Sequence, residues 1–227
     1  MPIKKFPDPR NSSPEGIIAL GGDLHPDSLL LAYRNGIFPW PIEGLPLAWF
    51  CPPERAILDF KDLTLPRSLA RAWRKNQASA VMNFTFDRDF EAVISACATV
   101  PRPEKGTWIT SELKSAYIEF HRAGYAHSVE SRSPDGTLIG GIYGVEVDGV
   151  FSAESMFYHK PYASKFALLT LIEHLQKARG LQWMDIQMLT PHMVALGAKE
   201  LARSEFLKLL KRTQKAQVRS KTSLFWV

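Results

Sequence analysis

The sequence predicts an α+β protein, with a small loop-rich N-terminal domain over residues 1–60 and a larger domain over residues 61–227. Three observations carry that reading. From His127 onward the apolar pattern takes the two-residue period of strands, interrupted by the turns Pro134-Asp135-Gly136 and Asp148-Gly149. Asp-Gly between two such runs is the strongest short hairpin signal, so residues 127–132, 137–147 and 150–157 read as a meander. A helix from a Ser164 cap to about Arg179 and a strand from Trp183 to Leu189 follow, so the last strand rejoins the sheet after a helical crossover.

The remaining elements follow in chain order. The first 60 residues are rich in proline and contain one helix from about Pro26 to Arg34, with Pro26 suited to a first turn and Gly36 to an exit. Gly36-Ile37-Phe38-Pro39-Trp40 then puts two aromatic rings on a stiff turn, as a ligand wall or as an apolar plug against the next domain. Residues 60–124 read as three helices with one short strand between them. Asp87 is the expected cap of the second, with Phe90, Val93, Ile94 and Cys97 on its buried stripe. Thr110 or Ser111 caps the third, whose stripe is Leu113, Ala116, Tyr117 and Phe120, and Gly124 closes it. Helices fill the C-terminal part.

Composition narrows the function classes. With 227 residues, 45% hydrophobic and 22% charged, the chain has the make-up of a folded globular protein, which excludes disorder and collagen-like structure. Two cysteines, Cys51 and Cys97, are too few for a disulfide framework, and Cys97 on its apolar stripe reads as a core residue. The opening Met1-Pro2-Ile3-Lys4-Lys5-Phe6-Pro7 lacks an apolar signal segment, so a reducing cytoplasm is expected. No run reaches the roughly 18 apolar residues of a membrane helix, so no membrane partner is expected. The six histidines have no metal-ligand spacing, and no metal is assigned.

A formal charge of +5 says little by itself, but its placement says more. Arg67, Arg71, Arg74 and Lys75 fall within nine residues that contain no acid, at spacings that set them along one helix flank beside Trp73. That is a candidate phosphate track. Lys208, Lys211, Arg212, Lys215, Arg219 and Lys221 form a second cluster, read either as a phosphate contact or as a solvated helix end favoured by the helix dipole. Asp185 and Gln187, two apart on a strand, share a face on which the carboxylate can orient the amide.

Five segments together resemble one family: Gly36-Ile37-Phe38-Pro39-Trp40, Gly106-Thr107-Trp108-Ile109-Thr110, Gly140-Gly141-Ile142-Tyr143-Gly144-Val145, Ala153-Glu154-Ser155-Met156-Phe157 and Asp185-Ile186-Gln187. The chain resembles the leucyl/phenylalanyl-tRNA-protein transferases from about Gly16 to Trp226, in matching order and spacing. The resemblance implies transfer of leucine or phenylalanine from aminoacyl-tRNA to the N-terminal arginine or lysine of an acceptor protein, marking that protein for degradation. It also implies a larger domain similar to the acyl-CoA N-acyltransferase fold, a cytoplasmic location, no cofactor and a monomer. Acyltransferases of that fold carry a glycine-rich pyrophosphate loop after the meander, but Tyr158-His159-Lys160-Pro161-Tyr162-Ala163 has no glycine, which disfavours coenzyme A.

An aminoacyl-tRNA is an activated ester, so attack by an amine needs positioning and proton transfer but no ATP. The resemblance makes Asp185 and Gln187 the catalytic pair, with Gln187 on the attacking amine and Asp185 assisting. A neutral amide is a poor base, and a ribose hydroxyl of the tRNA terminus is an equal candidate for the proton shuttle. The 3′ end of the aminoacyl-tRNA is assigned to Tyr33 and Trp40 around the terminal adenosine, Trp108 as a further wall, and Glu154 near the α-amino group. An apolar side-chain pocket is assigned to Ile142, Phe151, Leu168, Leu171 and Met184. Phe151 and Glu154 have opposite strand parity, so they share a site only across a bulge or twist. Arg67, Arg71, Arg74 and Lys75 match the family's acceptor-stem patch. Two rivals remain: an acyl-CoA-dependent N-acetyltransferase, and an RNA-binding module without turnover.

Overall fold

In a computed structural model, alternating apolar residues from Ala126 to Tyr158 build the centre of a seven-stranded sheet. Residues 1–101, 107–220 and 226 are described, without the side chains of 218–220. In chain order the elements are β1 (Ile17–Leu20), α1 (Pro26–Arg34), β2 (Phe38–Pro39), β3 (Ala48–Phe50), β4 (Glu54–Asp59), α2 (Arg67–Ser79), β5 (Asn83–Phe86), α3 (Phe90–Thr99) and α4 (Ser111–Arg122). Then come β6 (Ala126–Arg132), β7 (Leu138–Val147), β8 (Val150–Tyr158), α5 (Ala163–Lys177), β9 (Trp183–Gln187), α6 (Pro191–Val194), β10 (Lys199–Ala202) and α7 (Arg203–Ser220). The chain is thus an α+β protein with a small N-terminal region and a larger sheet-containing domain.

The large sheet runs β10-β4-β9-β8-β7-β6-β5, and β1, β3 and β2 form a separate three-stranded sheet. Strand β9 lies parallel to β8 after the α5 crossover, as the order of elements predicts. Helices α3 and α4 pack with α1 on one face of the sheet, through a core that includes Leu29, Val93, Tyr117, Phe120 and Tyr143. Helices α5 and α2 cover the other face, where Ile142, Phe151, Leu168, Leu171 and Met184 share a second core. Helix α7 seals the β4 end through Phe206 and Leu210.

Several local expectations shift. Strand β4, inside the 1–60 range assigned to the small domain, pairs with both β9 and β10 and so belongs to the large sheet. Asp87 does not cap α3; Asp89 takes that position, and Asp87 accepts instead from the Ser128 amide and pairs with His127. Helix α5 starts one residue before Ser164, from Tyr162 in a left-handed conformation, because Ser131 Oγ on β6 donates to the Ala163 carbonyl and pins the first turn to the sheet. Strand β9 stops at Gln187, whose φ of 61° turns the chain out of the extended region. The small strands β1, β2, β3 and β10 were not legible in the sequence; runs of two to four residues carry too little periodicity. Among the described residues no helix is long and apolar enough to cross a membrane.

Candidate active site

The site forms where β4, β8 and β9 lie side by side under α1 and α4. Pairing between β7 and β8 slips there: Tyr143 faces Ser155 and Gly144 faces Ala153, so β8 spends one extra residue, Glu154, against β7. A Cβ on Gly144 would lie 2.4 Å from the Ser152 carbonyl oxygen and 2.5 Å from the Phe151 ring, so a bare backbone at this position lets the bulge close. Phe151 and Glu154, of opposite parity, take opposite faces of β8: Phe151 packs in the core under α5, and the Glu154 carboxylate meets Tyr33 on α1 and Tyr117 on α4.

Glu154 is the hub of a polar cluster. Its Oε1 accepts from the Tyr33 hydroxyl at 2.7 Å and from Gln187 Nε2 at 2.8 Å, and the hydroxyls of Tyr33 and Tyr117 share a hydrogen bond. Burial pushes the Glu154 carboxyl from 4.5 to about 7; the Tyr33 and Gln187 hydrogen bonds and Arg55 hold it down, and the Asp185 charge adds to the rise. Burial beside that carboxylate raises both tyrosine hydroxyls well above 10, so they stay protonated and donate.

Beneath Gln187 lies a second layer. Asp185, 1% exposed, accepts from Arg55 Nε at 2.8 Å and Nη2 at 2.6 Å, from Ser152 Oγ at 3.1 Å, and from the Gln187 backbone N–H at 2.9 Å. Arg55, also 1% exposed, is held between the rings of Phe38 and Phe206 at 4.6 and 4.7 Å and donates to the Gly36 carbonyl. Gly36 has a φ of 72° and sits against Phe206, Leu207 and Leu210, a turn that a side chain would obstruct. Asp185 therefore fixes the backbone of Gln187, and Glu154 fixes its side-chain amide. Gln187 Oε1 has no hydrogen-bond partner among the described residues, which leaves a fixed acceptor with its lone pairs unused.

A cleft of about 250 Å³ opens beside this cluster, lined by Ile142, Glu154, Leu168, Met156, Met188 and His192 among others. Of the five expected pocket residues, Ile142 and Leu168 line it, whereas Phe151, Leu171 and Met184 are buried in the core behind and do not. Trp40 and Trp108, both half-buried, stack on each other with centroids 5.2 Å apart and planes 16° apart. Gly106 of the matching motif lies outside the described residues. Tyr33 does not join that wall: its ring is buried against Phe120 and only its hydroxyl serves the site. Phe38 is a plug on Arg55, whereas Trp40 on the same turn stays half-buried. Sequence reasoning missed Arg55, Tyr117 and Ser152. Arg55 had one signal, a cation beside the apolar run Ala56-Ile57-Leu58, but nothing in sequence points from it to Asp185.

Arg67, Arg71, Arg74 and Lys75 are all exposed on α2, and none has an ion-pair partner among the described residues. The opposite flank packs through Leu69 and Trp73, the latter against Phe84 and Phe166. Arg67 opens α2 with no acid in the first turn, a placement opposed by the helix dipole.

A fixed amide acceptor backed by a buried ion pair, next to an apolar cleft and a carboxylate, suits an enzyme of the acyl-group-transfer class. Comparison narrows the class: the sequence model described as leucyl/phenylalanyl-tRNA protein transferase matches residues 57–211, and that of its N-terminal domain matches residues 22–53. A leucyl/phenylalanyl-tRNA–protein transferase of Magnetococcus marinus is 46% identical over 207 residues, 89% of this chain and 86% of that one. Proteins of the same name from Maridesulfovibrio salexigens and Anaeromyxobacter sp. are 44% and 45% identical over 90% and 91% of this chain, and 84% and 87% of their own. The chain belongs to the leucyl/phenylalanyl-tRNA–protein transferase family.

Proposed function

We propose that the protein transfers leucine or phenylalanine from aminoacyl-tRNA to the N-terminal arginine or lysine of acceptor proteins, marking them for degradation. The observation that supports this reading is the unpaired Oε1 of Gln187, a residue 4% exposed beside the cleft and held in place through its own Nε2 and backbone N–H. The acceptor's α-amine donates a hydrogen bond to Oε1, which aims the nitrogen lone pair at the ester carbonyl. The C–N bond forms, the C–O bond to the terminal ribose breaks, and the amine's proton passes to the leaving ribose oxygen. An unperturbed α-amine has a pKa of about 7.7 to 8.0, so a useful fraction is neutral at pH 7 and a strong base is unnecessary.

Asp185, whose oxygens are taken by Arg55, Ser152 and the Gln187 amide, acts as a positioning residue rather than as a base. Glu154 receives the donor's cationic α-amino group, and the cleft walled by Ile142 and Leu168 receives the transferred side chain. Trp40 and Trp108 take the terminal adenosine, while the unpaired cations of α2 meet phosphates and position the tRNA without reading its sequence. The larger domain takes the acyl-CoA N-acyltransferase fold, an assignment supported by the meander, crossover helix and parallel strand, and we propose that it works without coenzyme, as a monomer in the cytoplasm.

The test mixes the protein with phenylalanyl-tRNA labelled in its amino acid and two peptides, one with N-terminal arginine and one with that amine acetylated. Label is expected on the free amine alone, and transfer falls at least about tenfold in Gln187→Ala while tRNA affinity holds. Charged tRNA that is bound but never consumed would overturn the reading.

A further inference from the structure

The C-terminal basic cluster found in the sequence is not used by the chemistry above, and the fold gives it a shape. Helix α7 and the segment 5–10 enclose a groove of about 1050 Å³ that also takes in Asn35 at the end of α1. Its cations are Lys5, Arg10, Lys208, Lys211, Arg212 and Lys215, gathered from segments far apart in sequence. Arg10 is paired with Asp8, and Lys208 with Glu205 at 2.8 Å. Lys5, Lys211, Arg212 and Lys215 have no ion-pair partner among the described residues. Arg219 and Lys221 of the same cluster lie outside the described side chains.

Four like charges facing one concavity repel one another, and no acidic side chain among the described residues pairs with them. A solvated helix end spreads such charges over its exposed surface; here the N-terminal segment contributes cations of its own and turns the helix flank into a trough. The floor is made by Phe6, Pro7, Pro9 and Leu207, which suits a ligand with a charged rail and a less polar body. A sugar–phosphate backbone has that character, with charges at regular spacing. The groove is also close to the site: Asn35 lines it, and Tyr33, two residues earlier on the same helix, donates to Glu154.

We infer that this groove is a second phosphate-binding track, separate from α2, which holds a further stretch of the tRNA's sugar–phosphate backbone. The inference rests on the proposed use of aminoacyl-tRNA and adds a binding surface to it. Two tracks on different elements fix the orientation of a large substrate better than one, because a single row of phosphate contacts leaves rotation about that row free.

The experiment measures binding of full-length phenylalanyl-tRNA over a salt series, and separately measures transfer from phenylalanyl-adenosine, a donor without phosphates. Lys211→Glu/Lys215→Glu and, independently, Lys5→Glu/Arg212→Glu are expected to weaken tRNA binding about tenfold or more. Each should reduce the slope of log K against log salt by about 2, at near 0.9 for every phosphate the protein no longer neutralises. Transfer from phenylalanyl-adenosine should stay at the wild-type rate. Unchanged tRNA affinity and slope in both variants would overturn the inference, and unchanged tRNA affinity with lost binding of polyglutamate would reassign the groove to an acidic protein. A wild-type protein that binds tRNA in the groove but consumes neither donor would instead sink the proposed function and leave the groove standing.

Discussion

Arg55 and Asp185 form a doubly hydrogen-bonded ion pair, at 2.8 and 2.6 Å, sealed under Gln187. Each is 1% exposed, and each is fully engaged elsewhere: Arg55 between two aromatic rings, Asp185 by Ser152 and by the Gln187 backbone. Desolvating two charges costs as much as their attraction returns, so such a pair is a weak source of net stability. Its value lies in geometry, since it fixes a backbone N–H at the one residue of β9 with a positive φ.

Removing one partner should therefore cost far more than removing both. Arg55→Met strands a buried carboxylate and is expected to lower stability by about 3 to 5 kcal/mol in urea denaturation. Arg55→Met/Asp185→Leu should recover most of that stability and none of the transfer activity. A single variant as stable as wild type would show that the pair is not desolvated.

The Glu154 carboxyl, raised to about 7, links pH to both function and stability. Below pH 7 it is increasingly neutral and loses its attraction for a cationic α-amino group, so transfer should fall on the acid side with an apparent midpoint near 7. The stability sign is opposite: a carboxyl with a folded-state value above its unfolded 4.5 costs nothing below 4.5 and progressively destabilises as pH rises toward 7. Glu154→Gln should thus be more stable than wild type at about pH 8, by on the order of 2 to 3 kcal/mol, and about equal to it at about pH 4. Its transfer rate should be low and should lose the Glu154 contribution near pH 7, keeping only the acid-side fall set by the acceptor amine at about 7.7 to 8.0. Parallel melts at the two pH values and a rate profile check both.

Gly144→Ala tests the bulge. The added methyl would meet the Ser152 carbonyl at 2.4 Å and the Phe151 ring at 2.5 Å, so β8 must move and Glu154 with it. Overpacking of this kind costs about 1 to 3 kcal/mol. Transfer should fall by much more than the thermal midpoint suggests, because a displacement of about 1 Å at a positioning group can cost about a hundredfold in rate. Wild-type kinetics in a folded Gly144→Ala protein would remove the bulge from the account.

Trp40→Ala should weaken the aminoacyl-tRNA by about 1 to 3 kcal/mol, the usual value of one aromatic stack on a base. The loss belongs in KM, with kcat at saturating donor near wild type, because the ring touches no reacting atom. Trp108→Ala should behave the same way, and the double variant should lose less than the sum, since the two rings stack on each other. Strict additivity in a double-mutant cycle would mean that they act apart.

Much of the frame was legible. The Asp148-Gly149 turn, the strands on either side and the crossover helix are local patterns, and short-range sterics and apolar periodicity determine them wherever the segment sits. The α1 limits came from the same kind of signal, as did the α4 cap, read as Thr110 or Ser111 and found at Thr110. Function was legible too, through motifs from Gly36 to Gln187 whose order matches one family. A bulge leaves no such mark: the opposite parity of Phe151 and Glu154 is met by placing them on opposite faces of β8, and nothing in the sequence says where the extra residue sits.

What only the tertiary structure decided is which residues meet. Arg55 and Asp185 are 130 positions apart, and Tyr33 and Glu154 are 121 apart. Nothing local in either segment encodes its partner, because the encounter is set by the pairing of β4 with β9 and by the packing of α1 over the sheet. The same reason separates the pocket residues. Apolar character marks all five as buried, but only the packing of α5 on the sheet leaves Ile142 and Leu168 at the cleft and Phe151, Leu171 and Met184 behind it. Composition and periodicity determine what is buried; the register between distant strands determines what it is buried against.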